Sequence, residues 1–266
     1  MKRMPQMFQR CKDDGSMALV CYLTAGYPDL GRSLEYLLAV DRAGADVIEI
    51  GVPFTDPVAD GPIIQYTSDH AIRTGTRPNQ VFELVRCLRA ESDIPIVLMG
   101  YYNPIFAMGE GTFVTRAAEA GADGIIVADL PLEESAGMSR ACRIKGLDMI
   151  QMVTRLTPPE RMIIIAREST GYLYLVSRTG TTGKMTQIKP ELRQLIGHTK
   201  HLAGRLPVVV GFGLSEFMQM QDLRMAGADG AIVGSALLKR MIEGVPPDKV
   251  GNYVTKLKQA CGSKHH

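Results

Sequence analysis

Short apolar runs alternate with longer amphipathic stretches along the whole chain, and this alternation is the strongest constraint on its fold. Eight runs are rich in Val, Ile and Leu with little polar alternation, as expected for parallel strands covered on both faces. The predicted strands are residues 18–24, 47–51, 94–101, 124–128, 149–153, 172–176, 207–211 and 231–233. Each is followed by a stretch of helical periodicity, which predicts a repeated βα unit and a parallel sheet.

The length of the chain favours one closed arrangement of these units. A (β/α)₈ barrel takes about 250 residues, and the chain has 266. We therefore predict an α/β protein with a single barrel domain over residues 1–262, with extra short helices in the loops that follow the strands. A doubly wound open sheet stays open as an alternative, because alternation alone does not exclude it. Residues 263–266 end in two histidines and are interpreted as a candidate tag remnant.

A short repeat supports the barrel. The tetrapeptide Ala-Gly-Ala-Asp occurs at residues 43–46, 120–123 and 226–229, each time between a predicted helix and a predicted strand. Its glycine can adopt the left-handed conformation that ends a helix, so the chain can turn directly into the next strand. Three near-identical junctions indicate one αβ unit built repeatedly, although coincidental helix stops would give the same pattern.

Composition excludes several classes of partner and compartment. Thirty basic and twenty-eight acidic residues give a net charge of +2, too balanced to suggest nucleic acid or an anionic membrane. The five cysteines have no close pair, which argues against a zinc site or a disulfide framework. No apolar run approaches the roughly 20 residues needed to span a bilayer, and residues 1–15 do not resemble a signal peptide. We expect a cytoplasmic protein.

Two carboxylates mark the second predicted strand and its loop. Alternation along the strand sends Ile48 and Ile50 to one face and Glu49 to the other, which in a barrel is the interior. Burial there disfavours the charged form of Glu49 and raises its pKa, as a proton donor near neutral pH requires. Asp60 lies in the following loop, where we expect it to be better solvated and ionised. Taken alone, Glu49 also fits a structural role and Asp60 a turn.

Glycine-rich segments follow the last three predicted strands, at residues 177–183, 211–213 and 234–236. Glycines let backbone N–H groups approach an anion closely, and a helix N-terminus adds a favourable dipole. In barrels, the loops after strands 7 and 8 with a short extra helix are a common phosphate site. The sequence therefore predicts a phosphate site here, with the extra helix over residues 236–242, although each segment alone fits an ordinary turn.

Residues 49–62 closely resemble the signature of the tryptophan synthase α subunit family. The resemblance covers nearly the whole chain and continues through residues 23–29, 100–104, 128–131, 177–183 and 211–214. It implies a carbon–carbon lyase of tryptophan biosynthesis that cleaves indole-3-glycerol phosphate into indole and glyceraldehyde 3-phosphate. A retro-aldol cleavage of this kind needs an acid and a base and no electron sink, so neither a cofactor nor a metal is expected in this chain.

The resemblance also implies roles for individual residues. Glu49 would be the main acid and base, and Asp60 would bind the indole N–H and stabilise positive charge on the ring. Thr182 would orient Asp60 from a lid formed by the strand 6 loop. The residues implied to hold the phosphate are Gly183, Gly213, Gly234 and Ser235. The residues implied to line the indole pocket are Tyr22, Ile126, Tyr174 and Phe212.

The family works beside a β subunit, in an α₂β₂ heterotetramer, and pyridoxal phosphate is expected only in that partner. The matching interface positions are Pro53, Asp56, Asn103, Pro104, Phe106 and Pro131. Two positions depart from the family pattern: Thr181 stands where valine is usual, and Arg155 where proline is common. The first could alter the lid and the second the rim of the pocket.

Three other functions remain open from the sequence. A free-standing lyase would share the chemistry without an obligatory partner, and a non-catalytic barrel would only regulate a partner enzyme. A sugar-phosphate isomerase or epimerase would share the phosphate loops but would not need an indole-sized pocket.

Overall fold

Eight parallel strands close into a barrel in the order in which they occur in the chain, and the last strand pairs with the first. The computed structural model describes residues 2–177, 188–211, 213 and 216–262. The strands are β1 Ala18–Thr24, β2 Val47–Gly51, β3 Ile96–Gly100, β4 Gly124–Val127, β5 Asp148–Thr154, β6 Leu173–Val176, β7 Val208–Gly211 and β8 Gly230–Val233. The predicted barrel is confirmed, and an open sheet is excluded.

Two strand starts differ from the prediction for a common reason. The strands predicted from residues 94 and 207 begin instead at Ile96 and Val208, each directly after a proline. Proline has no N–H group to donate to the neighbouring strand, so regular pairing starts one residue later. The carbonyl oxygens of Pro95 and Pro207 still accept hydrogen bonds, from Ile48 and Leu173.

Twelve α-helices surround the barrel within the described residues. They are α1 Arg3–Asp13, α2 Leu30–Arg42, α3 Pro62–Arg73, α4 Pro78–Glu91, α5 Tyr102–Met108, α6 Glu110–Ala120, α7 Ala136–Lys145, α8 Pro159–Glu168, α9 Pro190–Ala203, α10 Phe217–Met225, α11 Ser235–Ile242 and α12 Pro247–Ala260. Helices α3, α5 and α11 are the extra helices that the sequence predicts in loops after strands. In the described part of the chain, no helix combines the length and apolar character needed to cross a membrane.

Helix α1 packs against the barrel at the end opposite the predicted site. Met4 and Met7 are buried, and the Phe8 ring meets the Tyr172 ring edge-on at 6.0 Å between centroids. Tyr172 immediately precedes β6, so this contact lies where that strand begins. The apolar face of α1 is thereby removed from water, as expected for an amphipathic helix.

The Ala-Gly-Ala-Asp repeat forms a structural unit that recurs around the barrel. Its glycines, Gly44, Gly121 and Gly227, have φ values of 95°, 97° and 85°, which only glycine adopts readily. The aspartate that follows then bonds to the neighbouring strand at two points. Asp123, for example, donates its N–H to the Ile96 carbonyl at 2.7 Å and accepts the Ile96 N–H on its carboxylate at 2.9 Å.

The other two aspartates repeat this arrangement. Asp46 bonds to Leu19 at 2.9 and 2.8 Å, and Asp229 bonds to Val208 at 2.9 and 2.7 Å. Each carboxylate also pairs with a basic side chain from a helix, and these are Lys258 for Asp46, Arg89 for Asp123 and Lys200 for Asp229. The repeat therefore joins adjacent strands where they begin, at the end of the barrel away from the predicted chemistry.

We expect Asp123→Ala to lower the free energy of unfolding by about 3 kcal/mol, because it leaves the Ile96 amide without its acceptor and Arg89 without its carboxylate in a partly buried setting. Urea unfolding measures the loss. Asp69→Ala is the control, since it removes only an exposed pair with Arg73 and should cost less than about 0.5 kcal/mol. Equal losses in the two variants would contradict the structural role of the repeat.

Candidate functional site

A cavity of about 840 Å³ opens where the strands end. Seven of the residues predicted from the sequence line it: Tyr22, Glu49, Asp60, Tyr174, Gly213, Gly234 and Ser235. Met99, Ala128, Met152 and Ile232 add an apolar wall. The cavity therefore brings together side chains from several strands, in the manner of active sites at the carboxyl ends of barrel strands.

Glu49 lies inside the barrel, as the alternation along β2 predicts. Its side chain is fully buried, and its partner across the strand pair is Tyr22 of β1. The Tyr172 hydroxyl donates a hydrogen bond of 2.5 Å to Oε1, whereas Oε2 has no hydrogen-bond partner among the described residues. Burial raises the pKa of Glu49 to about 7, against the lowering effect of the Tyr172 hydrogen bond. Near neutral pH the carboxyl group can therefore both give and take a proton.

Asp60 faces the same cavity from the loop after β2. It is less buried than Glu49, and its Oδ2 accepts a hydrogen bond of 3.0 Å from the Tyr101 hydroxyl. Burial raises the pKa of Asp60 to about 6, and the Tyr101 hydrogen bond opposes this rise. Asp60 is thus more ionised than Glu49 at pH 7, in the order that the sequence predicts. Its pKa is nevertheless higher than expected for a solvated loop aspartate, because the loop folds inward over the cavity.

Local hydrogen bonds hold the loop that carries Asp60. The Ser68 hydroxyl of α3 accepts from the Phe54 N–H at 2.9 Å and donates to the Phe54 carbonyl at 3.0 Å. The Asp60 N–H donates to Pro57 O, and the Asp60 carbonyl accepts from Gln65 at 2.9 Å. The loop is therefore fixed both to itself and to the helix that follows it.

Two strand glycines make room for the phenol rings of the cavity wall. A Cβ atom on Gly51 would lie 2.1 Å from the Tyr22 hydroxyl oxygen, and one on Gly211 would lie 2.2 Å from that of Tyr174. Both distances are far below contact distance, so any larger residue would displace the ring. The shape of the cavity thus requires glycine at these two positions, because any side chain would occupy the space of a tyrosine ring.

The predicted phosphate site lies at the start of α11. Gly234 precedes the helix and its carbonyl accepts from the N–H groups of Leu237 and Leu238. The N–H groups of Ser235 and Ala236 come before the first of these intrahelical bonds, and such groups are available to an anion. Gly213, with φ of +63°, borders the same cavity. Thr182, Gly183 and Phe212 lie outside the described residues, as does Thr181.

Ile126 is placed differently from the other predicted pocket residues. It is fully buried on β4, and the cavity is bordered instead by Ala128, two residues further along the chain on the same side. Ile126 therefore lies one layer deeper in the barrel. Arg155 and the adjacent Leu156 border the cavity after β5, and both are exposed.

The residues predicted to contact a partner follow β2, β3 and β4. Asp56, Asn103, Phe106 and Pro131 are exposed, and the Phe106 side chain reaches 67% exposure. Pro104 is half-buried, whereas Pro53 is buried. Pro53 is therefore part of the packed interior of its loop, and the four exposed residues are those that can contact another protein.

Two tyrosines that touch the carboxylates were not predicted. Tyr101 ends the third predicted strand, and a polar aromatic residue at a strand end is a signal that could have indicated it. Tyr172 begins the sixth predicted strand and lies 123 positions from Glu49 in the sequence. Nothing in the sequence alone connects these two residues, because the closure of the barrel brings them together.

The fold and the site together define a (β/α)₈ barrel in which a buried glutamate and a partly buried aspartate border one cavity beside the N-terminus of a helix. The tryptophan synthase alpha chain family model matches residues 8–265. The chain belongs to the tryptophan synthase alpha chain family.

Individual relatives support this membership over nearly the full length. A tryptophan synthase alpha chain of Prochlorococcus marinus (strain MIT 9313) is 44% identical over 258 residues, covering 96% of this chain and 94% of the relative. The crystal structure of the Legionella pneumophila str. Paris tryptophan synthase subunit alpha has a TM-score of 0.90 at 35% identity and 98% coverage of both chains. A chain of the Pyrococcus furiosus tryptophan synthase complex has a TM-score of 0.84 at 36% identity, covering 91% of this chain and 98% of that one.

We expect the burial of Glu49 to make stability depend on pH. Its folded-state pKa of about 7 lies above the ordinary glutamate pKa of 4.5, so the folded protein keeps the proton to a higher pH than the unfolded chain. Stability is therefore lost as pH rises from about 4.5 to 7. Glu49→Gln removes this loss, and its gain over wild type in urea unfolding should be larger at pH 8 than at pH 5 by about 2 kcal/mol.

Glu83→Gln, at an exposed position of α4, is the matched control for this measurement. Among the residues that the structure describes, Glu83 pairs with the exposed Arg86 alone, so its replacement should change stability by similar small amounts at both pH values. A Glu49→Gln gain that is the same at pH 5 and pH 8 would show that Glu49 is not held protonated by burial.

Proposed function

We propose that this chain is a carbon–carbon lyase that cleaves indole-3-glycerol phosphate into indole and glyceraldehyde 3-phosphate, as the α subunit of a tryptophan synthase. The observation that carries the proposal is one cavity in which a fully buried, protonatable Glu49 and an ionised Asp60 both border the space beside the start of α11. Family membership supports a lyase role. We further propose that residues 1–262 form one catalytic domain and that the protein works in the cytoplasm.

The proposed reaction conserves protons overall. Glu49 donates a proton to C3 of the indole ring, and the ring nitrogen becomes positively charged. The carboxylate left on Glu49 then takes the proton from the glycerol hydroxyl group as the bond between C3 and the glycerol carbon breaks. The electrons of that bond return to the ring, which leaves neutral indole and an aldehyde. A pKa of about 7 suits both transfers, because the group must act as acid and as base in one cycle.

Asp60 is proposed to stabilise the charged intermediate. Its carboxylate would accept a hydrogen bond from the indole N–H, which strengthens as positive charge develops on the ring. The apolar wall of Met99, Met152 and Ile232 suits a flat aromatic ring. Ser235 and the glycines 213 and 234 would hold the phosphate, together with Gly183. Tyr22, Tyr174 and Phe212 would enclose the ring, and Thr182 would orient Asp60.

An indole-release assay with indole-3-glycerol phosphate tests the proposal. We expect Glu49→Gln to lower kcat by about 10²- to 10⁴-fold, because amide nitrogen and oxygen cannot exchange the proton. Asp60→Asn should lower kcat by about 10²-fold, since it keeps the shape but removes the charge. Glu83→Gln, remote and exposed, should match wild type. Near-full activity in Glu49→Gln would refute the assigned acid and base.

The partner proposed for this chain is a tryptophan synthase β subunit that carries pyridoxal phosphate, in an α₂β₂ assembly. The relative from Pyrococcus furiosus is described as a tryptophan synthase complex. In the present chain, Asp56 and Pro131 are exposed in the loops after β2 and β4, and Asn103 and Phe106 are exposed on α5, the short helix that follows β3. An exposed phenylalanine next to polar rim residues is typical of a protein interface. This surface favours the partnered enzyme over a free-standing lyase.

We expect Phe106→Asp to weaken binding of a family β subunit by about 30-fold, because an aromatic anchor is lost and a charge must be desolvated. Titration calorimetry with the purified β subunit measures the Kd. Ile144→Asp is the control, as Ile144 is also an exposed apolar residue, at 74%, but lies on α7, away from the predicted interface positions in sequence. Equal Kd values for the two variants would show that Phe106 is outside the interface.

A further inference from the structure

The Tyr101 hydroxyl group lies between the Ala59 N–H and the Asp60 carboxylate. We propose that Tyr101 is a positioning residue for Asp60, which holds this carboxylate in one orientation and keeps it ionised inside the cavity. The proposal deepens the function argued above and rests on it, because it concerns the group that faces the indole nitrogen. Tyr101 itself is not among the residues that border the cavity, so it acts on the reaction through Asp60.

The two hydrogen bonds of the Tyr101 hydroxyl fix the direction in which its proton points. Its oxygen accepts the Ala59 N–H at 3.1 Å, and its single proton is then donated to Asp60 Oδ2 at 3.0 Å. A phenol has only one hydrogen to give. With the Ala59 amide supplying the other hydrogen bond, the arrangement favours a carboxylate at residue 60 that accepts, rather than a carboxylic acid that would donate.

The ring of Tyr101 cannot easily turn away from this position. The side chain is 5% exposed, and its ring packs on Phe54 with centroids 5.3 Å apart and planes at 31°. Phe54 is itself held to Ser68 through both of its backbone groups. The next residue in the chain, Tyr102, donates its backbone N–H to the Asp129 carboxylate at 2.7 Å. The hydroxyl is therefore preorganised before any ligand is bound.

Among the described residues, Tyr101 is the one that donates a hydrogen bond to the Asp60 carboxylate. Within residues 2–177, 188–211, 213 and 216–262, the titratable and charged groups that face Asp60 or its cavity are Tyr22, Glu49, Tyr101, Arg155 and Tyr174. The Tyr22 and Tyr174 hydroxyls lie over Gly51 and Gly211 instead, and Arg155 makes no ion pair in the described part of the chain. The ionised state of Asp60 thus depends on one hydrogen bond that opposes burial.

Burial and the Tyr101 hydrogen bond act on the pKa of Asp60 in opposite directions. Burial raises the pKa of Asp60 to about 6, and the Tyr101 hydrogen bond lowers it. Removal of the hydroxyl raises the pKa of Asp60 further, so the carboxylate is lost at a higher pH. The proposed reaction needs ionised Asp60. As the pH is lowered, the variant without the hydroxyl group should therefore lose activity at a higher pH than wild type does.

The experiment compares pH profiles of kcat and kcat/KM for indole release in wild type, Tyr101→Phe and Tyr36→Phe. We expect the acidic limb of Tyr101→Phe to move up by about one pH unit, with kcat at pH 6 about 5- to 10-fold below wild type and a ratio to wild type that returns towards one above about pH 8. Tyr36 lies on α2 and donates to the Val245 carbonyl at 2.7 Å. Tyr36→Phe therefore also loses one phenol hydrogen bond and should leave the limb in place. Ionisation of the substrate phosphate is common to all three.

A second measurement is independent of turnover. With ¹³C-labelled aspartate carboxyl groups, the Asp60 resonance is identified by its absence in Asp60→Asn and is titrated in wild type and in Tyr101→Phe. The proposal predicts an upward shift of the Asp60 pKa in Tyr101→Phe. Coincident Asp60 titrations in the two proteins would overturn it. If wild type releases no indole, the proposed function fails, and the titration still decides whether Tyr101 controls the charge of Asp60.

Discussion

The chemistry of this barrel depends on the burial of one carboxyl group. Glu49 occupies an inward position on β2, is fully shielded from water and has a single hydrogen-bond donor, Tyr172, in the described structure. Solvation would return its pKa to the ordinary range and remove its ability to give a proton near pH 7. Helix α1 reaches the same group indirectly, because Phe8 packs against the ring of Tyr172. The far end of the barrel therefore helps to set the environment of the acid.

The two ends of the barrel differ in how their carboxyl groups are paired. Where strands begin, Asp46, Asp123 and Asp229 pair with basic side chains, and each bonds to both backbone groups of one residue in the neighbouring strand. Where strands end, Glu49 is left with one oxygen unpaired and a raised pKa. A carboxyl group with its partners in place avoids the free-energy cost of an unpaired buried polar atom, whereas Oε2 of Glu49 carries that cost. Such a cost is expected at a site whose geometry serves a reaction.

The sequence predicted the barrel because each of its parts has a local signal. Eight apolar runs and a glycine that ends helices before an aspartate both act within a few residues. The inward direction of Glu49 also follows from alternation along one strand. The contact of Tyr172 with Glu49 and the depth of Ile126 could not be predicted, since both depend on the register and closure of the whole sheet. The pKa of Asp60 was underestimated because the Phe54–Ser68 hydrogen bonds that fold the loop inward join residues 14 positions apart.

The two carboxyl groups of the site each receive one hydrogen bond from a tyrosine, Glu49 from Tyr172 and Asp60 from Tyr101. Because the donors are of the same kind, they lower both pKa values and do not by themselves separate the two groups. The difference arises from depth: one group projects from a strand into the barrel, and the other stands in a loop at its rim. A strand position followed eleven residues later by a loop position therefore places the two carboxyl groups of one cavity at different depths, and the deeper group keeps its proton to a higher pH.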